Sequence, residues 1–162
     1  FQLLAQVAGR AGRGDLPGRV VMQTYNPDHF IIEAARKQDF LDFFHNETPF
    51  RKALMYPPFS RMIQLKLSGK TAEAVSARAE ALARVIRDLA NGEKDARDTV
   101  QILGPAEAPI TRISSQYRWQ ILIKGPSAAV LGRIVRTALE HPDAALTSGI
   151  RLAVDVDPYF LM

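Results

Sequence analysis

The fold of this chain is decided around the stretch Arg61-Met62-Ile63-Gln64-Leu65-Lys66-Leu67-Ser68. Apolar and polar side chains alternate along it, which is typical of a β-strand with one buried face and one open face. Every second residue from Ile63 to Leu67 is a predicted core residue, and Lys66 is predicted to point to the opposite face. We therefore expect a sheet that is covered on one side only.

The same order of elements occurs twice along the chain. In each half, a strand precedes a helix with apolar residues at helical spacing, and a further strand follows. The predicted elements are a strand at 61–68, a helix from Thr71 to Gly92, a short strand at 100–103 that Gly104-Pro105 ends, a strand at 115–124, a helix from Ser127 to His141, and a strand at 150–156. The order β-α-β-β-α-β predicts an α+β fold, a ferredoxin-like sandwich in which two helices cover one face of an antiparallel four-stranded sheet.

Residues 1–56 follow a different pattern. The predicted elements there are a helix in residues 1–14 that Gly9 and Gly12 break, a strand at 19–25, a helix that begins at Asn26-Pro27 and bends or breaks between Phe40 and Pro49, and a short helix through Phe50 and Leu54. Tyr56-Pro57-Pro58 should stop this last helix, because proline lacks a backbone donor and disfavours the helical region for the residue before it. We place the domain boundary there, which gives units at 1–56 and 57–162.

Composition excludes several classes of protein. With 162 residues and 47% hydrophobic content, the chain can bury a real core. Its net charge of +4 permits a nucleic-acid partner but does not demonstrate one. The absence of cysteine excludes disulfides and thiolate metal sites in this piece and is compatible with a reducing cytoplasm. Apolar runs are far shorter than a membrane span, so we expect no membrane partner.

The segment Gln6-Val7-Ala8-Gly9-Arg10-Ala11-Gly12-Arg13-Gly14 is the candidate nucleotide-binding motif. Its two arginines can reach one phosphate group and stabilise the charge that develops as a γ-phosphoryl group leaves. No Gly-x-x-x-x-Gly-Lys-Ser/Thr loop occurs, and no Asp-Glu pair follows a strand. The motif therefore predicts an arginine finger in the C-terminal fragment of a larger motor, and the fragment alone should be inactive. The alternative is a solvated turn in a stand-alone nucleic-acid- or protein-binding module without catalysis.

Six motifs, in the same order, resemble the C-terminal end of the primosomal protein N′ (PriA) family of bacterial replication-restart helicases. They are residues 1–14, Gln23-Thr24-Tyr25-Asn26-Pro27, Tyr56-Pro57-Pro58-Phe59-Ser60-Arg61, Leu103-Gly104-Pro105-Ala106, Tyr117-Arg118-Trp119-Gln120 and Asp155-Val156-Asp157-Pro158. The resemblance covers the whole chain. It implies an ATP- and Mg-dependent superfamily 2 DNA helicase that moves 3′ to 5′, recognises stalled or abandoned forks and restarts replication through primosome assembly.

The resemblance also assigns nucleotide-site residues. Gln6, Gly9, Arg10 and Arg13 would belong to the ATP site, with Arg13 as the finger and Arg10 as a second γ-phosphate contact. The family's zinc-binding cysteines lie N-terminal to this piece. Implied partners are forked and single-stranded DNA, other primosome proteins and the acidic C-terminal tail of single-stranded-DNA-binding protein, in the nucleoid-associated cytoplasm.

One position departs from the family pattern. Some members carry a basic residue directly after Pro-Ser at the start of the last helix, whereas this chain has Ala128 after Pro126-Ser127. This difference puts the pocket for the acidic tail in doubt. Arg133 and Arg136, further along the same predicted helix, are the alternative basic residues, and the competing interpretation is that they are solvated.

Strand alternation also predicts a DNA-binding surface. Tyr117 and Trp119 share a face with the apolar residues that follow them, so they are predicted core residues rather than base-stacking residues. The open face would then carry the candidate DNA-binding residues Lys66, Arg118, Lys124 and Arg151. These cations could follow a phosphate backbone, although a solvated sheet face explains them equally well.

Asp155 and Asp157 are two residues apart, so on a strand both carboxylates would point the same way. A magnesium or nuclease site would need this arrangement together with a third ligand, and none is visible nearby in the sequence. We therefore predict no metal site, and we expect these carboxylates to pair with Arg118, Arg151 or an arginine of the motor lobe.

Overall fold

This computed structural model describes residues 1–11 and 18–158. They contain five α-helices and four antiparallel β-strands. The chain divides into two units, one from Phe1 to Leu54 and the other beginning at Met55. The predicted α+β class and the predicted antiparallel sheet of four strands are confirmed. Within the described ranges, no helix is both long enough and apolar enough to cross a lipid bilayer.

The described part of the first unit contains three helices, α1 (Gln2–Ala8), α2 (Phe30–Lys37) and α3 (Phe40–Ala53). Phenylalanine rings connect them. The Phe1 ring stacks on the Phe43 ring with centroids 4.8 Å apart, and the Phe30 ring lies 6.1 Å from the Phe50 ring. Each aromatic pair contributes on the order of 1 kcal/mol beyond the area that it buries, so these contacts hold the helices together.

The strand predicted at residues 19–25 is not formed. Val20 and Val21 are exposed, and no described residue of the first unit lies in a strand. A strand is stable only when its backbone N–H and C=O groups pair with a neighbour. The prediction failed because composition can favour a strand without supplying a partner for it.

The start of α2 also differs from the prediction. The helix begins at Phe30 rather than at Asn26, because His29 is its N-cap. The Nδ1 atom of His29 accepts a hydrogen bond from the Ile31 N–H at 3.3 Å, which satisfies one of the free donors of the first turn.

The predicted break between Phe40 and Pro49 is wrong as well. The chain breaks earlier, at Gln38, which adopts left-handed φ and ψ angles of 54° and 30°. Asp39 then caps α3 by accepting a hydrogen bond from the Asp42 N–H at 2.9 Å. From there α3 continues through Pro49 to its end.

The second unit contains the sheet. Its elements are β1 (Arg61–Gly69), α4 (Ala72–Gly92), β2 (Gln101–Ile113), β3 (Gln116–Gly125), α5 (Ala128–Glu140), a short 3-10 helix (Pro142–Ala144) and β4 (Ile150–Val156). The strands lie in the order β2-β3-β1-β4, each antiparallel to its neighbours. As predicted, Ser127 caps α5, and its Oγ accepts a hydrogen bond from the Val130 N–H at 3.4 Å.

Helices α4 and α5 pack against one face of this sheet. Alternate residues of the two central strands join apolar residues of both helices in one buried core, which includes Ile63, Leu65, Leu67, Ile121, Ile123, Leu82, Ile86, Leu131 and Ile134. Fully burying such a side chain stabilises the fold by roughly 1.5–3 kcal/mol. The predicted core residues of β1 are therefore confirmed, and none of the helices described in the second unit packs on the opposite face of the sheet.

Strand β2 does not end at Gly104-Pro105, contrary to the prediction. The register with β3 shifts between Leu103 and Ala106, and pairing resumes beyond this bulge. Gly104 has φ +90°, and a Cβ atom there would lie 2.8 Å from the Gln120 carbonyl oxygen. Only glycine fits this position, so the Gly-Pro step bends the strand without ending it.

Candidate nucleic-acid interface

Three of the four predicted DNA-binding cations lie together on the helix-free face of the sheet. Ser68 of β1 pairs with Arg118 of β3 on one side and with Arg151 of β4 on the other, so the two arginines flank it in one row. Lys66 lies in the next row of the same face. Because neighbouring strands are about 4.8 Å apart, the backbones of the two arginines are about 10 Å apart. We call these three residues, Lys66, Arg118 and Arg151, the basic row.

The cations of the basic row differ in their contacts. The Nη1 atom of Arg118 donates to the Ile110 carbonyl oxygen at 3.4 Å, and the Lys66 ammonium lies 3.7 Å from the Asp155 carboxylate. Arg151 is exposed, and none of the described ion pairs involves it. Weak, solvent-accessible contacts of this kind leave cations available to phosphate groups.

Lys124 is separated from the basic row. Lys124 pairs with Met62, whereas Lys66 of the basic row pairs with Gln120. Lys124 and Gln120 are four residues apart on β3, so the backbone of Lys124 is about 13 Å from the row of Lys66. The ammonium group of Lys124 is 4.0 Å from the centroid of the Tyr56 ring, and only 4% of the residue is exposed. This desolvation lowers the pKa of Lys124 below its ordinary value.

The expectation that Lys124 is accessible on an open face is therefore wrong. Its strand parity was predicted correctly, but the segment before β1 covers this end of the helix-free face. The Oγ atom of Ser60 donates to the Met55 carbonyl oxygen at 2.5 Å, which closes the segment on itself next to the sheet.

Asp157 holds the same end of the sheet together. The Arg61 guanidinium donates to its Oδ2 atom, and the Met62 N–H donates to its Oδ1 atom at 3.0 Å. Burial by itself would raise the pKa of Asp157, but the hydrogen bonds from Arg61 and Met62 and the charge of Arg61 hold it below the ordinary value.

The predicted partners of the two aspartates are wrong. Asp155 pairs with Lys66, and Asp157 pairs with Arg61, rather than with Arg118, Arg151 or an arginine of the first unit. Across the described ranges, no three histidine, aspartate or glutamate side chains converge as a metal site would require. The two carboxylates therefore act as ion-pair partners within the sheet.

Sequence reasoning missed the burial of Gln64, which forms an amide pair with the partly buried Gln120 on the helix-free face. Gln64 is only 1% exposed, and its Nε2 atom donates to the Gln120 Oε1 atom at 2.7 Å. The Oε1 atom of Gln64 has no hydrogen-bond partner among the described residues. Strand alternation carries no signal for this burial, because it gives the face on which a side chain lies and not what covers it.

The described part of the nucleotide-binding motif lies at the C-terminal end of α1. Gln6 is on this helix, and Gly9 ends it with its N–H donating to the Ala5 carbonyl oxygen at 2.9 Å. The Arg10 N–H continues the turn by donating to the Val7 carbonyl oxygen at 3.2 Å. All three predicted residues are exposed at one helix end. Arg13 lies outside the described residues.

The two alternative basic residues of α5 are not equivalent. Arg133 forms two hydrogen bonds with the Glu93 carboxylate, at 3.1 Å from Nε and 2.6 Å from Nη2. These bonds lower the pKa of Glu93. Arg136 is exposed, and none of the described ion pairs involves it. An acidic ligand would have to displace Glu93 to reach Arg133, whereas Arg136 is already accessible.

Comparison with known proteins gives consistent matches. The sequence profile of the family described as "Primosomal protein N C-terminal domain" matches residues 52–159. A "Replication restart protein PriA" from Synechocystis sp. is 40% identical over 98% of this chain and 18% of its own length. Proteins of the same name from Bacillus subtilis and Haemophilus influenzae are 34% and 35% identical over 100% and 97% of this chain, and the match covers 20% of each. This chain therefore spans about a fifth of the length of these curated relatives.

Proposed function

Since this chain belongs to the primosomal protein N C-terminal domain family, we propose that it is the C-terminal part of a protein that restarts DNA replication at stalled or abandoned forks. The relatives that support this proposal carry the name of a replication restart protein. The intact protein would be an ATP- and Mg-dependent 3′ to 5′ DNA helicase that assembles a primosome in the cytoplasm.

Within this protein, we propose that the second unit binds DNA through the basic row. The observation that carries this proposal is the placement of Arg118 and Arg151 on either side of Ser68, with Lys66 in the next row, on a face that no helix of the unit covers. Phosphate contacts from such a surface carry little sequence information, so binding should show little sequence preference and should depend strongly on salt. Lys124 is assigned a structural role, because it is buried.

Titration of fluorescent forked and single-stranded DNA into this chain tests the proposal. Replacing Arg118 and Arg151 with alanine should weaken binding and reduce the logarithmic salt slope by roughly one for each lost contact. The matched control replaces Arg84 and Arg97, two exposed arginines away from this face, with alanine. Equal affinities and equal salt slopes for the wild type and the basic-row variant would show that DNA binds to a surface other than the basic row.

For the fold, we infer that the second unit is a ferredoxin-like sandwich. The order of its elements, the strand order β2-β3-β1-β4 and the packing of both helices on one face support this inference. We further infer that the first unit is a part of a RecA-like motor lobe. Its exposed apolar side chains, such as Phe40, Leu41 and Phe44, fit a unit that packs on further chain.

For the nucleotide site, we propose that Gln6, Gly9, Arg10 and Arg13 complete an ATP site whose phosphate-binding loop and magnesium ligands lie elsewhere in the intact protein. The chain alone should not hydrolyse ATP, because a finger acts only on a transition state that those groups assemble. In the intact protein, Arg13→Ala should lower ATP turnover about 10³-fold. Near-normal turnover would remove Arg13 from this role.

For a protein partner, we propose that the acidic tail of single-stranded-DNA-binding protein contacts the exposed face of α5. Arg136 would make the first contact, and Arg133 would exchange Glu93 for a tail carboxylate. Arg136→Ala should weaken binding of a synthetic tail peptide, and Glu93→Gln should strengthen it by freeing Arg133. Unchanged peptide affinity in both variants would exclude this face.

A further inference from the structure

The hairpin between β2 and β3 ends in a tight and well-defined tip. Ser114 and Ser115 form a two-residue loop, and both have positive φ angles, 49° and 59°. This is the turn geometry that matches the twist of antiparallel strands. The tip is therefore a tight turn, although the pairing of β2 with β3 shifts register between Glu107 and Arg112.

Two large apolar side chains are exposed at this tip. Ile110 is 51% exposed and Ile113 is 46% exposed, although both are β-branched residues that a sheet would normally bury. Folding of the second unit does not explain them, because the core lies on the helix-covered face.

The segment that contains these isoleucines, residues 108–124, carries positively charged side chains and no negatively charged ones. The Arg112 guanidinium lies 5.2 Å from the centroid of the Tyr117 ring, and the Arg118 guanidinium donates to the Ile110 carbonyl oxygen. Ile113 pairs with Gln116, so it lies on the same face of the hairpin as Arg118 of the basic row, whereas Arg112 pairs with Tyr117 and lies on the other face.

We propose that this tip is a second DNA-contacting element, in which Ile110 and Ile113 pack against a base at a junction between duplex and single-stranded DNA. Arg118, which shares the face of Ile113, contacts a phosphate next to this base. The inference rests on the proposed function, because it assumes that the neighbouring basic row binds DNA.

The chemistry of the tip favours a junction over continuous duplex. In continuous duplex, each base face is covered by its neighbours, and an apolar side chain that inserts between two bases must unstack them at a cost in free energy, whereas an unpaired or terminal base has an open face. The positive charge favours nucleic acid over an ordinary protein surface, since it complements phosphate and has no acidic side chain within the segment to offset it.

Binding of this chain to two DNA molecules tests the inference. One is a forked DNA with 2-aminopurine at the junction, and the other is a relaxed circular duplex, which has no ends. The variant is Ile110→Thr with Ile113→Thr, because threonine keeps the β-branched shape and suits a strand. The matched control is Val154→Thr with Val156→Thr, on the opposite edge strand, where the exposed fractions are 45% and 57%.

We expect the tip variant to lose affinity for the fork on the order of tenfold and to lose the change in 2-aminopurine fluorescence. Its affinity for the circular duplex should equal that of the wild type, and the control variant should match the wild type on both molecules. Equal losses on both molecules, or no loss on either, would overturn the inference while leaving DNA binding by the basic row intact. Failure of the wild type to bind either molecule would overturn the proposed function and this inference with it.

Sedimentation of the wild type and the tip variant separates DNA contact from self-association. An edge strand with exposed apolar residues can also pair with a second copy of the same chain. We expect both proteins to sediment as the same species. If the wild type sedimented as a dimer and the tip variant as a monomer, the isoleucines would instead belong to an interface between two copies of the chain.

Discussion

The ammonium group of Lys124 lies 4.0 Å from the centre of the Tyr56 ring. Tyr56, which precedes β1, therefore covers a lysine of β3. A cation in contact with an aromatic face recovers part of the hydration that it loses on burial, by about 0.5–2 kcal/mol. The contact explains how a lysine can be buried on the helix-free face of the sheet.

Replacing Tyr56 with alanine should destabilise the second unit by about 1–3 kcal/mol, because it removes both the cation–π contact and the packing of the ring. Urea unfolding followed by the fluorescence of Trp119, the single tryptophan, measures this change. Tyr56→Phe should retain most of the stability, since it keeps the ring. Tyr25→Ala is the control, because Tyr25 is fully exposed, and a loss of the same size in the control would refute a specific contact.

Strand alternation predicted some features of the fold and could not predict others. The alternation around Ile63 and Lys66 assigned each residue of β1 to the correct face, and the helical spacing in α4 and α5 predicted which side the core occupies. Alternation gives the direction of a side chain but not what covers it. Lys124 was therefore placed on the correct face, but neither its burial nor that of Gln64 was predicted.

The first unit shows a second limit. Residues 19–25 have the composition of a strand, but hydrogen-bond partners belong to the rest of a fold and cannot be read from a local segment. His29 similarly replaced Asn26 as the helix cap, because several neighbouring residue types can satisfy the same backbone donors. Local preference predicted the kind of element more reliably than its limits.

The stability of the second unit should depend on the titration of Lys124. Its pKa is lowered in the folded state relative to the ordinary value of 10.5. Between the lowered pKa and 10.5 the unfolded chain binds more protons than the folded chain, so the free energy of unfolding should rise with pH across this window. At lower pH both states are protonated, and this contribution becomes constant.

Urea unfolding at a series of pH values from neutral to alkaline measures this dependence. The wild type should gain stability relative to Lys124→Met as the pH rises through the window. Lys94→Met, at an exposed position, is the control for the loss of one positive charge. A wild-type curve parallel to that of Lys124→Met would show that the lysine titrates normally.

The second unit should fold by itself, but its stable form should begin at Met55 rather than at Phe59. A chain that starts at either residue contains the whole sheet and both covering helices, so both chains should unfold cooperatively. The shorter one lacks the Tyr56 ring over Lys124 and the Met55 carbonyl that accepts from Ser60, so it should be less stable by about 1–3 kcal/mol.

The urea midpoints of these two shortened chains, with tryptophan fluorescence as the probe, test this boundary. A third shortened chain begins at Met55 and carries Tyr56→Ala. Its midpoint separates the contribution of the Tyr56 ring to stability from that of the backbone contacts. Identical midpoints for all three chains would place the segment outside the folded unit.

Neutralising Asp155 should strengthen DNA binding. Its carboxylate lies 3.7 Å from the Lys66 ammonium on the proposed DNA-binding face, where it both repels phosphate and competes for the lysine. Because the pair is partly exposed, its loss should cost at most about 1 kcal/mol of stability. Asp155→Asn should raise affinity for single-stranded DNA several-fold and steepen the logarithmic salt slope by about one, as Lys66 gains a phosphate contact.

The control, Asp88→Asn, makes the same change in net charge on α4, at an exposed position. Fluorescence anisotropy at several salt concentrations compares the two variants, and an equal gain in both would mean that net charge, rather than the freed lysine, strengthens binding.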